Sequence, residues 1–117
     1  MTEKQIETQI LGWINHQTNC FAFKVNTVGV YDSKKGVYRR NLNPFVMRGT
    51  ADIIGICRGI FLAIEVKTPT TIKRFRNNPT QADRLQQLFL MRVEQKGGIA
   101  ACVCSLDEVI ELLKRHI

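Results

Sequence analysis

Two apolar runs separated by only two residues set the tightest limit on how this chain folds. Asp52-Ile53-Ile54-Gly55-Ile56-Cys57 and Ile60-Phe61-Leu62-Ala63-Ile64-Glu65-Val66-Lys67 are rich in β-branched residues and polar only at their ends. That is the pattern of buried strands. Arg58-Gly59 lies between them, and a two-residue link with glycine suggests an antiparallel hairpin, although Arg-Gly is not a preferred turn pair. If the hairpin closes there, Asp52 stands near the level of Glu65. Side chains alternate along a strand, so Glu65 and Lys67 share a face and Val66 points away.

Two acids and a lysine so placed are the minimum set for cutting a phosphodiester with a hard divalent cation. Carboxylates bind Mg²⁺ or Mn²⁺ through oxygen, and the peptide carbonyl of Val66 is a plausible further oxygen ligand. Bound metal lowers the pKa of a coordinated water and neutralises phosphate charge. A lysine beside it holds the attacking water or stabilises the charged transition state. Without a cation, paired acids repel and one pKa rises. The plainer alternative makes Asp52 a strand cap and Glu65–Lys67 a solvent-facing pair. Against it, Glu65 follows five apolar residues and is bracketed by Ile64 and Val66, an expensive place for an idle charge.

At 117 residues the chain has room for a single domain, 1–117, with a real core. Its 44% apolar content argues against disorder. A formal charge of +7 points to a polyanion, nucleic acid before a membrane surface. No signal peptide precedes the first helical pattern and no apolar run reaches spanning length, so a cytoplasmic location is expected. Cys20, Cys57, Cys102 and Cys104 form no CxxC pair, which makes buried free thiols in a reducing compartment the expectation and a structural zinc site improbable.

Residues 2–16 read as a helix with Thr2 as N-cap and Ile6, Ile10, Trp13 and Ile14 as its stripe. Glu3 and Glu7 lie one turn apart beside that stripe; either could reach a metal from the flank, or simply favour the helix N-terminus. Phe21–Val25 resemble a first strand. Asp32-Ser33-Lys34-Lys35-Gly36 looks like a turn, and residues 38–44 like a polar loop. Arg39, Arg40 and Arg48 are candidate phosphate contacts or part of a solvated face. Beyond Lys67, Pro69 stops the strand, and Lys73-Arg74-Phe75-Arg76-Asn77-Asn78-Pro79 is expected to form a basic loop. Its Lys73, Arg74 and Arg76 suit a phosphate backbone; Phe75 either joins them or anchors the loop to the core. A helix from about Thr80 to Lys96 follows, with Leu85, Leu88, Phe89 and Val93 on its packed side. Gln86 edges that face, where its amide could serve a water or a carboxylate, or be an ordinary surface glutamine. Gly97-Gly98 ends the helix. Ile99–Cys104 read as a buried strand, and Ser105, with Glu108 at N3, caps a last helix whose inner face is Val109, Ile110, Leu112 and Leu113.

The ordered set of Gly49-Thr50-Ala51-Asp52, Glu65-Val66-Lys67, Gln86 and Gly97-Gly98-Ile99-Ala100 resembles the VRR-NUC family within the PD-(D/E)XK nuclease superfamily, especially its small stand-alone viral and bacterial members. The resemblance covers nearly the whole chain. It implies an α/β fold with a restriction-endonuclease-like core, a central mixed sheet flanked by helices in the order α-β-β-β-α-β-α. It implies Mg²⁺ or Mn²⁺ on Asp52 and Glu65, with Lys67 assisting the water or the scissile phosphate. The family's glutamine falls on Gln86, and its N-terminal helix glutamate on Glu7 or, less securely, Glu3. Two departures stand out: Ala51 replaces the common proline before the first acid, and the segment after Glu65-Val66-Lys67 is longer and more basic. Small members of the family look like homodimers that cut branched or structured DNA.

The leading expectation is therefore a Mg²⁺- or Mn²⁺-dependent DNA endonuclease working as a homodimer. Its rivals are a non-cleaving DNA-binding module, an RNA nuclease with the same metal chemistry, and a structural partner of a larger complex.

Overall fold

The computed structural model describes residues 1–25, 30–32, 37–39 and 49–117, with only the backbone described for 30–32 and 37–39. Two sheets form. The main one has the order β1(Cys20–Lys24), β4(Ile53–Cys57), β5(Ile60–Val66), β6(Ile99–Val103). β1, β4 and β5 run antiparallel to their neighbours, while β5 and β6 are parallel. β2(Val30–Asp32) and β3(Val37–Arg39) make a separate antiparallel ribbon.

The central hairpin closes where its sequence suggests. Cys57 pairs with Ile60, and the turn holds Arg58 at φ 51° and Gly59 at φ 82°. Two successive positive φ values match the right-handed twist of the flanking strands. Arg58 therefore bears the left-handed conformation that an asparagine or glycine usually takes.

Strand alternation divides the core. Inward residues of β1, β4, β5 and β6 meet α1(Glu3–His16) and α4(Leu106–Leu113) in one cluster that includes Ile10, Ile14, Ile53, Leu62, Ile64 and Val109. Each such side chain, fully inside, contributes about 1.5–3 kcal/mol of transfer free energy. On the opposite face α3(Gln81–Gln95) lies over β5 and β6, packing Leu90 and Phe89 on Ala63 and Ala100. β6 crosses parallel to β5 because α3 carries the chain back along the sheet.

The termini of the helices follow their capping residues. Thr2 accepts from the Gln5 amide while the Gln5 side chain accepts from the Thr2 amide. Ser105 accepts from the Glu108 amide, as its position predicts.

Three expectations need correction. The expected basic loop over 73–79 is mostly a helix, α2(Pro69–Asn77). Thr68 caps it and Pro69 occupies its first turn, where a missing N–H costs nothing and the fixed φ is already helical. The proline that ends the strand thus starts a helix. The packed side of α3 is also wider than expected: Phe89 and Val93 pack on the sheet as expected but, like Leu85 and Leu88, stay half-buried, while Leu90 and Asp83 are its buried residues. Finally, β2, β3 and α2 extend the expected element order. Asp32 lies in β2 and Tyr38–Arg39 in β3, where the turn over 32–36 and the loop over 38–44 were expected; the rest of both segments lies outside the described residues, as do Arg40, Arg48 and the side chain of Arg39.

Candidate active site

The rung beyond Ile53–Ile64 in the β4–β5 ladder carries Asp52 and Glu65. Facing residues on adjacent antiparallel strands stand about 4.5–5.5 Å apart, so register alone sets the two carboxyls side by side. Asp52 is fixed twice. Its carbonyl accepts from the Val25 amide at 2.8 Å, and its Oδ2 accepts from the Val66 amide at 2.9 Å. The preceding turn is pinned to α3. Gly49 sits at φ 75°, and a Cβ there would meet the backbone of Leu85 and Gln86 at 2.6–2.8 Å. Only glycine lets the Gly49-Thr50-Ala51-Asp52 segment come so close to the helix.

Glu65 is 2% exposed. Burial first, and then the charge of Asp52 and a hydrogen bond with it, push its carboxyl up to about 9; Lys67 pulls the other way. Its Oε2 is buried without a hydrogen-bond partner. A buried carboxyl pair with an orphaned oxygen suits a hard cation, which would replace the shared proton and satisfy that oxygen. The residues present therefore fit a divalent metal on Asp52 and Glu65, with the rest of an octahedral shell left to water, substrate or the Val66 carbonyl. Among the described residues no three His, Cys, Asp or Glu side chains converge on one point.

Lys67 stands 3.7 Å from Glu65 Oε1 and equally 3.7 Å from Asp83 Oδ1. Its ammonium also lies 5.4 Å from the centroid of Phe75. Phe75 is buried, so it anchors α2 to the body. No sequence motif named above includes Asp83, yet it is only 2% exposed. It caps α3 by accepting from the Thr80 amide at 2.9 Å and pairs with Arg74 at 3.2 Å. Burial works against its ionisation, but the Thr80 donors, Arg74 and Lys67 outweigh that and hold its carboxyl below the usual range. The signal available in the sequence was Thr80-x-x-Asp83, a capping pattern; nothing local shows that the cap also faces Lys67.

The other candidates divide. Gln86 borders the site: its backbone touches the Gly49 turn, and its Oε1 is buried without a partner. Glu7 is buried on α1, on the α1/α4 side of the sheet, where its Oε1 meets the Lys24 ammonium at 2.9 Å. Glu7 raises the Lys24 pKa most, with a smaller contribution from Asp52. Glu3 is exposed. Arg74 is engaged by Asp83, and Arg76 lies 3.9 Å from Glu108; Lys73 is exposed on α2. The four cysteines are free, with Cys20 and Cys57 buried and Cys102 and Cys104 half-buried. Burial and the neighbouring Cys20 push the Cys57 thiol up to about 12; burial and Glu65 do the same to Cys102.

No family model matches the chain, and no curated protein matches it. Its fold does match a solved structure described as a VRR_NUC domain protein. The TM-score is 0.57 at 20% identity, over 100% of this chain and 88% of the other. The architecture is thus a VRR-NUC-like, restriction-endonuclease-like α/β fold, with a four-stranded mixed sheet between helices. No helix among the described residues is long and apolar enough to cross a membrane.

Proposed function

We propose that this chain is a divalent-metal-dependent DNA endonuclease that hydrolyses phosphodiester bonds. The observation that carries the reading is the single rung of Asp52 and Glu65, with Lys67 3.7 Å from Glu65. Mg²⁺ or Mn²⁺, when bound, supplies a water of lowered pKa and neutralises charge on the phosphate. Asp52 and Glu65 are the residues that hold it, with the Val66 carbonyl as a further oxygen. Lys67 orients the attacking oxygen or takes up charge developing on the phosphate. Asp83 keeps that ammonium directed at Glu65. The Gln86 carbonyl oxygen accepts a hydrogen bond from water at the site. Glu7 is a reserve ligand whose charge Lys24 neutralises meanwhile.

Branched DNA acted on by a homodimer is the preferred form of this reading. A two-fold dimer presents two sites in opposed orientations, which suits a symmetric junction. The test is a panel of labelled linear, nicked, flapped and four-way DNAs incubated with Mg²⁺, Mn²⁺ or EDTA. Cleavage with metal, its loss in EDTA, and its loss in folded Asp52→Ala and Lys67→Ala proteins are expected. Metal-dependent cutting retained by either variant would sink the assignment; salt-sensitive binding without cutting would make the chain a DNA-binding module.

A further inference from the structure

Among the described residues, half of the sheet face that bears the carboxyl pair has no helix over it. α3 lies over β5 and β6, while no helix of the described residues covers the same face of β1 and the turn end of β4. Phe21, Phe23, Ile56 and Phe61 are 59, 50, 46 and 46% exposed there. They form one surface. Phe21 pairs with Ile56, and Ile56 with Phe61, in a row across three strands. Phe23 stands one step along β1 from Phe21, ring centroids 6.0 Å apart. A contiguous apolar patch of this kind marks an interaction site.

We propose that this row is a stacking platform for unpaired nucleobases of the strand being cut. It rests on the nuclease reading and names the substrate as one with a single-stranded arm. Continuity with the site is the first argument. On one face β4 runs Ile56, Ile54, Asp52, and β5 runs Phe61, Ala63, Glu65, at roughly 7 Å per same-face step. A strand crossing the phenylalanines therefore delivers a phosphate to the carboxyl pair a few nucleotides on. Phe23, paired with Ile54, is a single step from the level of Asp52. Charge is the second argument. Arg58 stands exposed at the turn end of the patch, and β1, β4 and β5 carry no acid but Glu65 of the carboxyl pair. The chain as a whole carries +7. That balance of charge attracts a phosphate backbone and opposes a second copy of the same chain. Chemistry is the third. Phenylalanine offers a ring face and nothing to hydrogen-bond, which grips every base alike; a paired duplex hides its base faces, and an unpaired strand presents them.

The test measures binding in EDTA, so that cleavage plays no part. Fluorescence anisotropy compares a short labelled single strand, as DNA and as RNA, with the same DNA in a full duplex. The Phe21→Ala/Phe23→Ala protein is expected to bind the single strand at least tenfold more weakly, with a much smaller loss for duplex. Phe23→Trp is expected to keep its affinity and to lose indole fluorescence when the strand binds. Unchanged single-strand affinity in the double variant, or no quenching in Phe23→Trp, would overturn the platform. So would a dimer-to-monomer change in sedimentation at unchanged affinity, which would assign the face to a second copy. A double variant that unfolds would leave the decision to the Phe23→Trp quenching. A wild-type protein that binds the single strand yet cuts no DNA with Mg²⁺ or Mn²⁺ would end the nuclease reading and leave the platform standing.

Discussion

A carboxyl pair on one rung cannot ionise fully at neutral pH unless a cation joins it. Glu65, held near 9 by burial and Asp52, keeps a proton that an unfolded glutamate loses above about 4.3. Between those values the folded state binds the extra proton, so stability of the metal-free protein falls as pH rises from about 4.5 to 9. Thermal melts across that range are expected to show the decline. Glu65→Gln is expected to flatten it and raise the melting temperature at pH 8. Mg²⁺ or Mn²⁺ is expected to reverse it in the wild type and to do little for the variant. Asp83 gives a second prediction at this scale. Asp83→Asn weakens the ion pairs that hold Lys67 and Arg74, so kcat is expected to drop about tenfold to a hundredfold with KM nearly unchanged, in steady-state assays. Asp52, Glu65 and Lys67 were legible from the sequence because strand alternation and hairpin register are local rules. Asp83 was not, because its role needs α3 laid against the end of β5.

Among the elements, the close contact between the Gly49 turn and α3 controls the site most directly. An alanine there would drive a Cβ into the backbone of Leu85 and Gln86 and strain a φ of 75°. Gly49→Ala is expected to cost about 2–4 kcal/mol by denaturant titration and to weaken metal binding by moving Asp52. Thr68→Ala, which removes the cap of α2, is expected to cost about 1 kcal/mol. Residues 73–79 read as a loop because they are basic and end at Pro79. The cap at Thr68 and the first-turn proline together specify a helix start instead. Phe75 settles on the core side of its two readings because α2 turns it inward beneath Lys67.

For the whole molecule, charge and one-sided packing matter most. With +7 overall, DNA affinity is expected to fall steeply and linearly on a log–log salt plot. Lys73→Ala is expected to reduce that slope by about one. Two strand runs, a two-residue turn and three capping patterns are nearest-neighbour chemistry, so the sequence by itself determined the hairpin, most helix starts, and the rung shared by Asp52 and Glu65. Which face of the sheet each helix covers depends on contacts between residues far apart in the chain, and no local pattern encodes those. Tertiary structure alone therefore decided that α1 sets Glu7 against Lys24 on the far side, that α3 brings Asp83 to Lys67, and that Phe21, Phe23 and Phe61 are left facing water beside the carboxyls.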